Sequence, residues 1–291
     1  MEFRRYVETD YNALCDFLIE LNRTDCTHIN WNWARFEWMY GHPEFDLSAI
    51  CSIGLWFDGE RIVGAAIYDM YFGEAFCGVL PGYEAQYAAV LQYAYMELKD
   101  DAGLGIAVCD ENGAEIAAAA AEGFAAAEQD ETIMSMDLSR SSRAGLPEGL
   151  HFEEIGPGTD EKALAWFFWQ GFDHGSDRSE FEQSGQTPPR ARVHFDQRLS
   201  VGAVTEDGEL VSYCCLWFCS GTDYAYVEPV CTVPAWRGKG AARAVIFEAL
   251  GRAAALGAKK AYVISDLAFY EKLGFRKELH YTFYRKNTAD S

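Results

Sequence analysis

Hydrophobic residues recur at helical spacing in two segments, one near the start of the chain and one just after its midpoint. The first segment follows Thr9-Asp10, and the second follows Thr159-Asp160. Apolar side chains three or four residues apart, with an aspartate just ahead of them, predict amphipathic helices with capped N-termini. The apolar positions are Leu14, Phe17, Leu18 and Leu21 in the first helix, and Leu164, Phe167 and Phe168 in the second.

Two strand-like pairs of apolar runs flank short turns of the same composition. Asp58-Gly59-Glu60 separates Ile53–Phe57 from Arg61–Tyr68. In the second half, Asp207-Gly208-Glu209 separates Val201–Thr205 from Leu210–Phe218. An Asp-Gly turn between two apolar runs is a strong local signal for a β-hairpin.

These features repeat along the chain at an interval of about 150 residues. Pro81 and Pro234 each follow an apolar run and precede a helical pattern, and Gly123-Phe124 matches Gly274-Phe275 at the same interval. Four pairs in one order predict two copies of a mixed α/β fold. We place them at residues 1–139 and 150–291, joined by a linker at 140–149 that contains Pro147.

Charge is distributed unevenly between the two halves. The net charge is −21, and residues 1–145 contain 25 of the 45 acidic residues but 8 of the 24 Lys and Arg. Such acidity repels phosphate backbones and argues against a nucleic-acid partner. Solubility alone explains this charge, although a field that attracts cationic substrates explains it as well.

The most informative stretch runs from Tyr224 to Phe275. Tyr224–Val233 is predicted as a buried strand that ends before Pro234. A loop with two glycines and two cations then leads into a helix that ends at Gly257. Free amides and the dipole at a helix N-terminus bind anions, and glycines let a phosphate approach closely. A glycine-rich turn with solvated basic residues is the alternative, since neither a Walker loop nor a dinucleotide-binding motif is present.

Two motifs in this stretch resemble those of a known family. Arg237-x-x-Gly240-x-Ala242 resembles the acyl-CoA pyrophosphate loop of the GCN5-related N-acetyltransferases (GNAT family). About thirty residues later, Phe269-Tyr270 and Gly274-Phe275 resemble the closing signature of that family. The resemblance covers residues 150–287 well and reaches the first half through the repeat. It implies the mixed α/β acyl-CoA N-acyltransferase fold, in two tandem domains.

The resemblance also implies roles for particular residues. Backbone groups of the strand before the loop would hold the pantetheine and the acetyl carbonyl, and the loop would hold the pyrophosphate of acetyl-CoA. The implied acetyl-CoA-binding residues are Cys231, Thr232, Val233, Arg237, Gly238, Lys239, Gly240, Ala241 and Ala242. Tyr270 would protonate the leaving thiolate, for which a pKa near 10 is suitable. A core aromatic on a short helix is the alternative for Tyr270.

Glu228 is the candidate that contacts the substrate amine and acts as the base. A glutamate in an apolar strand is costly unless it has a partner or a function. A water chain or a different carboxylate would be an alternative base, and a one-residue change of register would turn Glu228 away. Cys231 lacks a His-Asp pair at a diagnostic position and is interpreted as a strand residue, not as a nucleophile.

The first half has lost the corresponding residues. Alignment through the two prolines places Glu84–Ala89 at the loop, with Glu84 in the position of Arg237 and Tyr87 in that of Gly240. Ala119 stands in the position of Tyr270. We therefore expect a degenerate domain that binds no acyl-CoA.

Two aromatic clusters are candidates for the acceptor side. The first either forms a wall of the acceptor pocket, where aromatic faces hold a cation, or belongs to the core or the interface between the halves. Its members are Trp31, Trp33, Phe36, Trp38, Tyr40 and Phe45. The second, Trp166–Trp169, precedes Asp173 and His174, which are candidate acceptor contacts because the family uses this region for its acceptors.

The sequence thus predicts an N-acetyltransferase that moves an acetyl group from acetyl-CoA directly to a primary amine of a small cationic molecule. A mycothiol-synthase-like tandem enzyme, a noncatalytic acyl-CoA-binding regulator and a longer acyl donor stay open as alternatives. Without a long apolar run or a signal-peptide core, a cytoplasmic protein with no membrane contact is expected. The nine cysteines and six histidines show no metal-ligand spacing, so no metal is expected, and the oligomeric state stays open.

Overall fold

The computed structural model describes residues 1–23, 26–140 and 144–288. Residues 141–143 of the expected linker lie outside this range. The strands are β1 (Glu2–Arg5), β2 (Gly54–Asp58), β3 (Arg61–Asp69), β4 (Tyr71–Val79), β5 (Gly103–Cys109), β6 (Ala125–Asp137), β7 (Leu150–Glu154), β8 (Ser200–Thr205), β9 (Leu210–Trp217), β10 (Tyr224–Thr232), β11 (Lys260–Ile264) and β12 (Arg276–Asn287). The helices are α1 (Tyr11–Leu21), α2 (Trp33–Gly41), α3 (Tyr87–Glu97), α4 (Gly113–Ala121), α5 (Glu161–Gly171), α6 (Arg178–Ser184), α7 (Ala241–Leu256) and α8 (Ala268–Leu273).

Both predicted hairpins are confirmed. β2 pairs with β3 around Asp58 and Arg61, and β8 pairs with β9 in the second half. The two Gly-Phe turns also have the same geometry, since Phe124 N–H donates to Ala119 O and Phe275 N–H donates to Tyr270 O. The order of helices and strands therefore repeats, as the sequence pattern predicts.

The two predicted helix caps differ. Asp160 caps α5 by accepting the backbone N–H of Ala163 at 2.7 Å, as expected. The expected cap of α1 is wrong, because the Asp10 carboxylate makes no bond to the first turn of that helix. It pairs instead with the Arg4 guanidinium at 2.6 Å and accepts the backbone N–H of Val7, so it ties β1 to the start of α1.

All twelve strands form one sheet, in the order β1-β2-β3-β4-β5-β12-β6-β11-β10-β9-β8-β7. The last strand of the chain, β12, lies between β5 and β6 of the first half and pairs antiparallel with both. β6, the last strand of the first half, pairs with β11 of the second half. Each half thus contributes its final strand to the other. The proposed division at residues 139 and 150 separates the copies along the chain, although their strands interleave in space.

Helices cover this sheet and connect the halves. α3 packs on β3 and β4, while α7 packs on β8, β9 and β10. α5 packs on β9 and β10, and α2 of the first half also packs on β10 of the second. Among the described residues, no helix is long and apolar enough to cross a membrane.

Gly103 lies opposite Asn287, at the end of β12, and provides a test of the strand exchange. Its φ is +132°, and an added Cβ would meet the carbonyl oxygen of Lys286 and lie 2.7 Å from the Cα of Asn287. We expect Gly103→Ala to lower the free energy of unfolding by about 2 kcal/mol or more, through crowding and backbone strain. Urea denaturation measures this.

Gly113→Ala is the control, because an added Cβ at the start of α4 meets nothing within 4 Å. Alanine favours helices, so this variant should be as stable as the parent or more stable by up to about 1 kcal/mol. Equal stability of the two variants would contradict the tight contact between β5 and β12.

Candidate functional site

β10 and β11 separate partway along their length. They pair in parallel from Tyr224 opposite Lys260 to Tyr226 opposite Tyr262. Beyond this point β10 continues to Thr232, and its pairing with β9 is interrupted by a bulge between Val227 and Val230. A bulge bends a strand and redirects its side chains. The result is a gap between β10 and β11, with Glu228 at the bulge.

The backbone at the end of β10 presents one amide to this gap. Val233 N–H donates to Val211 O of β9 at 3.0 Å, so it faces away from the gap. Because amides alternate along a strand, Thr232 N–H faces the gap. Of Cys231, Thr232 and Val233, whose backbone groups are expected to bind acetyl-CoA, Thr232 is thus the residue whose N–H faces the gap. The binding role of all three stays a prediction.

The Cys231 side chain packs against Gly171 of α5. An added Cβ at Gly171 would lie 2.8 Å from Cys231 Sγ. Burial raises the pKa of Cys231, which keeps the thiol neutral. This environment suits a packing residue, as the sequence interpretation holds, because a nucleophilic cysteine needs an accessible thiolate.

The loop after β10 has the geometry of an anion site. Gly238 and Gly240 have φ values of +73° and +94°, and an added Cβ at either meets nothing within 4 Å. Gly240 occupies the N-cap position of α7, where no side chain accepts the first amides of the helix. These amides and the helix dipole favour a bound anion. Lys239 lies over the Trp236 ring at 4.9 Å and adds positive charge.

Arg237 anchors this loop. Its Nε donates to Thr232 O at 2.9 Å, and one Nη donates to Gly171 O at 3.0 Å. The other Nη pairs with Asp173 at 2.8 Å. The guanidinium therefore holds the loop against the carbonyl of Thr232, the residue whose own N–H faces the gap. Asp173, expected on the acceptor side, instead serves the loop, while His174 lies beside the Trp169 ring at 5.2 Å.

Glu228 is a half-buried carboxylate in β10. Burial raises its pKa to about 7, although the positive charge of nearby Arg35 opposes this shift. The negative charge of Asp69 reinforces the rise. A carboxyl group with a pKa near neutrality can take up and release a proton at the operating pH of most enzymes.

Tyr270 lies on α8, just after β11, and is 8% exposed. Its ring packs between those of Phe269 and Phe275, with centroids at 5.2 and 5.5 Å. Burial raises the pKa of Tyr270, and the negative charge of Glu228 raises it further, so the hydroxyl stays protonated. Tyr270 and Glu228 thus lie within electrostatic reach of each other.

A cavity of about 470 Å³ lies beside the bulge and is lined by residues of both halves. Pro229, Trp217 and Phe168 line it from the second half, and Trp38 lines it from α2. The first aromatic cluster was interpreted either as a wall of the acceptor pocket or as part of the core, and each interpretation fits different members. Trp38 borders the cavity, whereas the other five are buried: Trp31, Trp33, Phe36, Tyr40 and Phe45.

Sequence reasoning missed a charged network from the first half. Arg35 of α2 donates to Asp69 at 2.7 Å and to Glu131 at 3.2 Å. It also donates to Asn30 O at 2.9 Å. The partners lie on β3 and β6, far apart in the sequence, so no local pattern indicates them. The network matters because Arg35 and Asp69 both influence Glu228.

A second group that the sequence did not indicate is Cys15, Glu37 and His194. These residues offer three ligand atoms within 4.8 Å of one another. Both oxygens of the Glu37 carboxylate already face His194, one of them accepting its backbone N–H at 3.1 Å. The geometry is that of a buried carboxylate bonded to a histidine of the other half. The expectation of no metal stays a prediction.

The corresponding loop of the first half is closed. The Glu84 carboxylate accepts the backbone N–H of Gly82 at 2.8 Å, so it places a negative charge where the second half has a cation. Tyr87, in the position of Gly240, is buried at 3% exposure, and Ala119 is fully buried. These features support the prediction that this half binds no acyl-CoA.

Comparison with known proteins agrees with this geometry. Residues 162–275 match the model of the Acetyltransferase (GNAT) family. No curated protein matches the sequence. Solved structures with the same fold include a tandem GNAT protein from the clavulanic acid biosynthesis pathway, at 17% identity and a TM-score of 0.63, covering 100% of this chain and 99% of that one.

Two further structures extend along nearly the whole chain. A GCN5-related N-acetyltransferase from Sphaerobacter thermophilus has 17% identity and a TM-score of 0.57, covering 98% of this chain and 95% of that one. A GNAT-family acetyltransferase from Colwellia psychrerythraea has 15% identity and a TM-score of 0.56, with coverage of 99% and 100%. These likenesses show the fold.

The fold and the family match together define the class of the protein as an acyltransferase. Within that class, residues 162–275 are similar to the GNAT family.

The anchoring role of Arg237 can be separated from the simple charge of Lys239. Arg237→Ala removes bonds to Thr232, Gly171 and Asp173, and we expect it to weaken acetyl-CoA binding about tenfold or more, at low and high salt alike. Lys239→Ala removes an exposed charge, so its effect should shrink between 50 mM and 500 mM salt as screening increases. Calorimetry at both salt concentrations measures this. Equal salt dependence of the two variants would contradict the anchoring role.

Proposed function

We propose that the second half transfers an acetyl group from acetyl-CoA to the primary amine of a small cationic acceptor, directly and within a ternary complex. The observation that carries this proposal is that Glu228, at the bulge of the strand before the Arg237–Ala242 loop, lies close enough to Tyr270 to raise its pKa. Acetyl-CoA supplies an acetyl group activated as a thioester.

Glu228 acts as the base in this proposal. An ammonium group must lose a proton before its nitrogen can attack a carbonyl carbon. The pKa of Glu228, raised to about 7 by burial, lets the carboxylate accept that proton near neutral pH. Glu228 precedes Pro229, which lines the cavity, and the proposal places the acceptor amine close to this point of the bulge.

Thr232 and Tyr270 serve the other end of the transfer. Thr232 N–H faces the gap and would donate to the carbonyl oxygen as negative charge develops there. Arg237 holds the next peptide in place through Thr232 O and so restrains the backbone of this residue. Tyr270, which stays protonated, would donate its hydroxyl proton to the departing thiolate sulfur.

A cationic acceptor is favoured by the charge near Glu228. Asp69 and Glu131 are about four-fifths buried, and among the described residues Arg35 is the cation that pairs with both, so the Arg35 network keeps a net negative charge. This charge would favour a cation bound beside Glu228.

The pH dependence of turnover tests the role of Glu228. The base must be ionised, so kcat/KM should rise with pH through about 7, with about a tenth of the activity at pH 6. Glu228→Gln should lower kcat/KM about 100-fold and abolish this rise. Thiol release from acetyl-CoA with a panel of diamines, polyamines and amino sugars measures both.

Tyr270→Phe is the matched comparison. It removes one oxygen, and we expect it to lower kcat about 100-fold while keeping the rise through pH 7 and the acetyl-CoA affinity. A wild-type protein that binds acetyl-CoA but turns over no amine would contradict the enzyme and favour an acyl-CoA-binding regulator. An unchanged pH profile in Glu228→Gln would assign the base to another group.

A further inference from the structure

One long connection of the second half leaves its own domain and lies against the first half. We call residues 187–195 the acceptor segment, because Thr187, Pro188, Pro189, Arg190, Ala191 and Phe195 line the 470 Å³ cavity. The segment lies between α6 and the 3-10 turn Gln197–Leu199. It has no regular secondary structure of its own, so its position depends on the residues that it contacts.

The first contact is between the backbones of the two halves. Arg190 N–H donates to Gly41 O, at the end of α2, with a length of 2.9 Å. An added Cβ at Gly41 would lie 2.5 Å from Arg190 O, closer than nonbonded atoms approach. A glycine is therefore required at position 41 for the segment to come this near to α2.

The second contact is aromatic. The guanidinium of Arg192 lies 4.1 Å from the centroid of the Tyr40 ring and 4.9 Å from that of Tyr11. The Glu8 carboxylate lies 4.0 Å away, and its other oxygen accepts the Tyr40 hydroxyl at 2.5 Å. An arginine between two tyrosine rings gains cation–π attraction, and partial burial strengthens it.

The third contact is between a buried carboxylate and a histidine. Glu37 of α2 is fully buried at 0% exposure, and its carboxylate accepts the backbone N–H of His194 at 3.1 Å and pairs with His194 Nδ1. A buried carboxylate is costly without such partners. The segment brings the basic residues Arg190, Arg192 and His194 to the acidic half of the protein, so the charges are complementary.

We propose that α2 of the first half positions the acceptor segment, so that the half without an acyl-CoA loop builds one wall of the acceptor cavity. Gly41 and Glu37 are positioning residues that act through Arg190 and His194. Trp38, on the same helix, borders the cavity directly. That the cavity binds the acceptor rests on the proposed function. The contacts between α2 and the segment do not depend on it.

Limited trypsin digestion of the full chain tests the contacts without any substrate. Trypsin cleaves after Arg190 and Arg192, both of which are held against α2 in the wild type. Gly41→Ala should push the segment away and speed cleavage at these two bonds at least tenfold. Glu37→Gln, which keeps the shape but loses the charge, should speed it less. Gly113→Ala, a glycine replacement in open space, should leave it unchanged.

Steady-state kinetics then test the link to the acceptor. With an amine from the panel that is turned over, Gly41→Ala should raise the acceptor KM about tenfold and change the acetyl-CoA affinity less than twofold. A general loss of folding would impair both, so an equal loss of acetyl-CoA binding would overturn the proposal. If Gly41→Ala does not fold, Glu37→Gln gives the same comparison with smaller changes.

Other outcomes separate this inference from the proposed function. Unchanged cleavage in both variants would overturn the positioning role, even if the wild type is an active acetyltransferase. Faster cleavage with an unchanged acceptor KM would also overturn it, because the segment would then move without consequence for the acceptor. Faster cleavage in a protein that acetylates no amine would support the contacts and count against the proposed function.

Discussion

The final strand of each half completes the sheet of the other half, and most of the structure depends on this exchange. β12 crosses from the second half to lie between β5 and β6, and β6 lies beside β11. Buried side chains of β12, among them Tyr281 and Phe283, therefore add to the core of the first half. Burial of such aromatic residues contributes about 1.5–3 kcal/mol each. Neither half therefore has a complete set of strands without the other.

This arrangement also gives a reason to keep a half that we predict to bind no acyl-CoA. The first half has Glu84 and Tyr87 where the second has a cation and a glycine, and the Glu84 carboxylate would repel an anion. Its α2 nevertheless packs on β10, where Glu228 lies, and supplies Arg35 and Trp38 to the surroundings of the bulge. The ionisation of Glu228 thus depends on residues from both halves.

Local patterns in the sequence predict a large part of this structure. Asp-Gly turns, Gly-Phe turns and the repeat at about 150 residues are short-range features, and the structure confirms the hairpins and the helices that they predict. The glycine loop before α7 is also predicted by a local pattern. Gly238 and Gly240 have positive φ values, which glycine adopts without strain.

Local patterns do not predict contacts between residues that are far apart in the sequence. The pairing of β12 with β5 joins residues about 170 positions apart, and no pattern within either strand specifies its neighbour. Asp10 was expected to cap α1 but pairs with Arg4, because a nearby arginine competes with the helix amides for the carboxylate. The network of Arg35, Asp69 and Glu131 and the pair of Glu37 and His194 likewise unite distant residues that look ordinary in the sequence.

The central claim is that this tandem protein has a single working acyl-CoA site, at the Arg237–Ala242 loop. Calorimetric titration of the full chain with acetyl-CoA, for the wild type and for Gly240→Glu, tests it most directly. We predict one site per chain in the wild type and no binding in the variant, because a carboxylate at the N-terminus of α7 would repel the pyrophosphate. Two sites per chain, or one site that survives in Gly240→Glu, would contradict the claim.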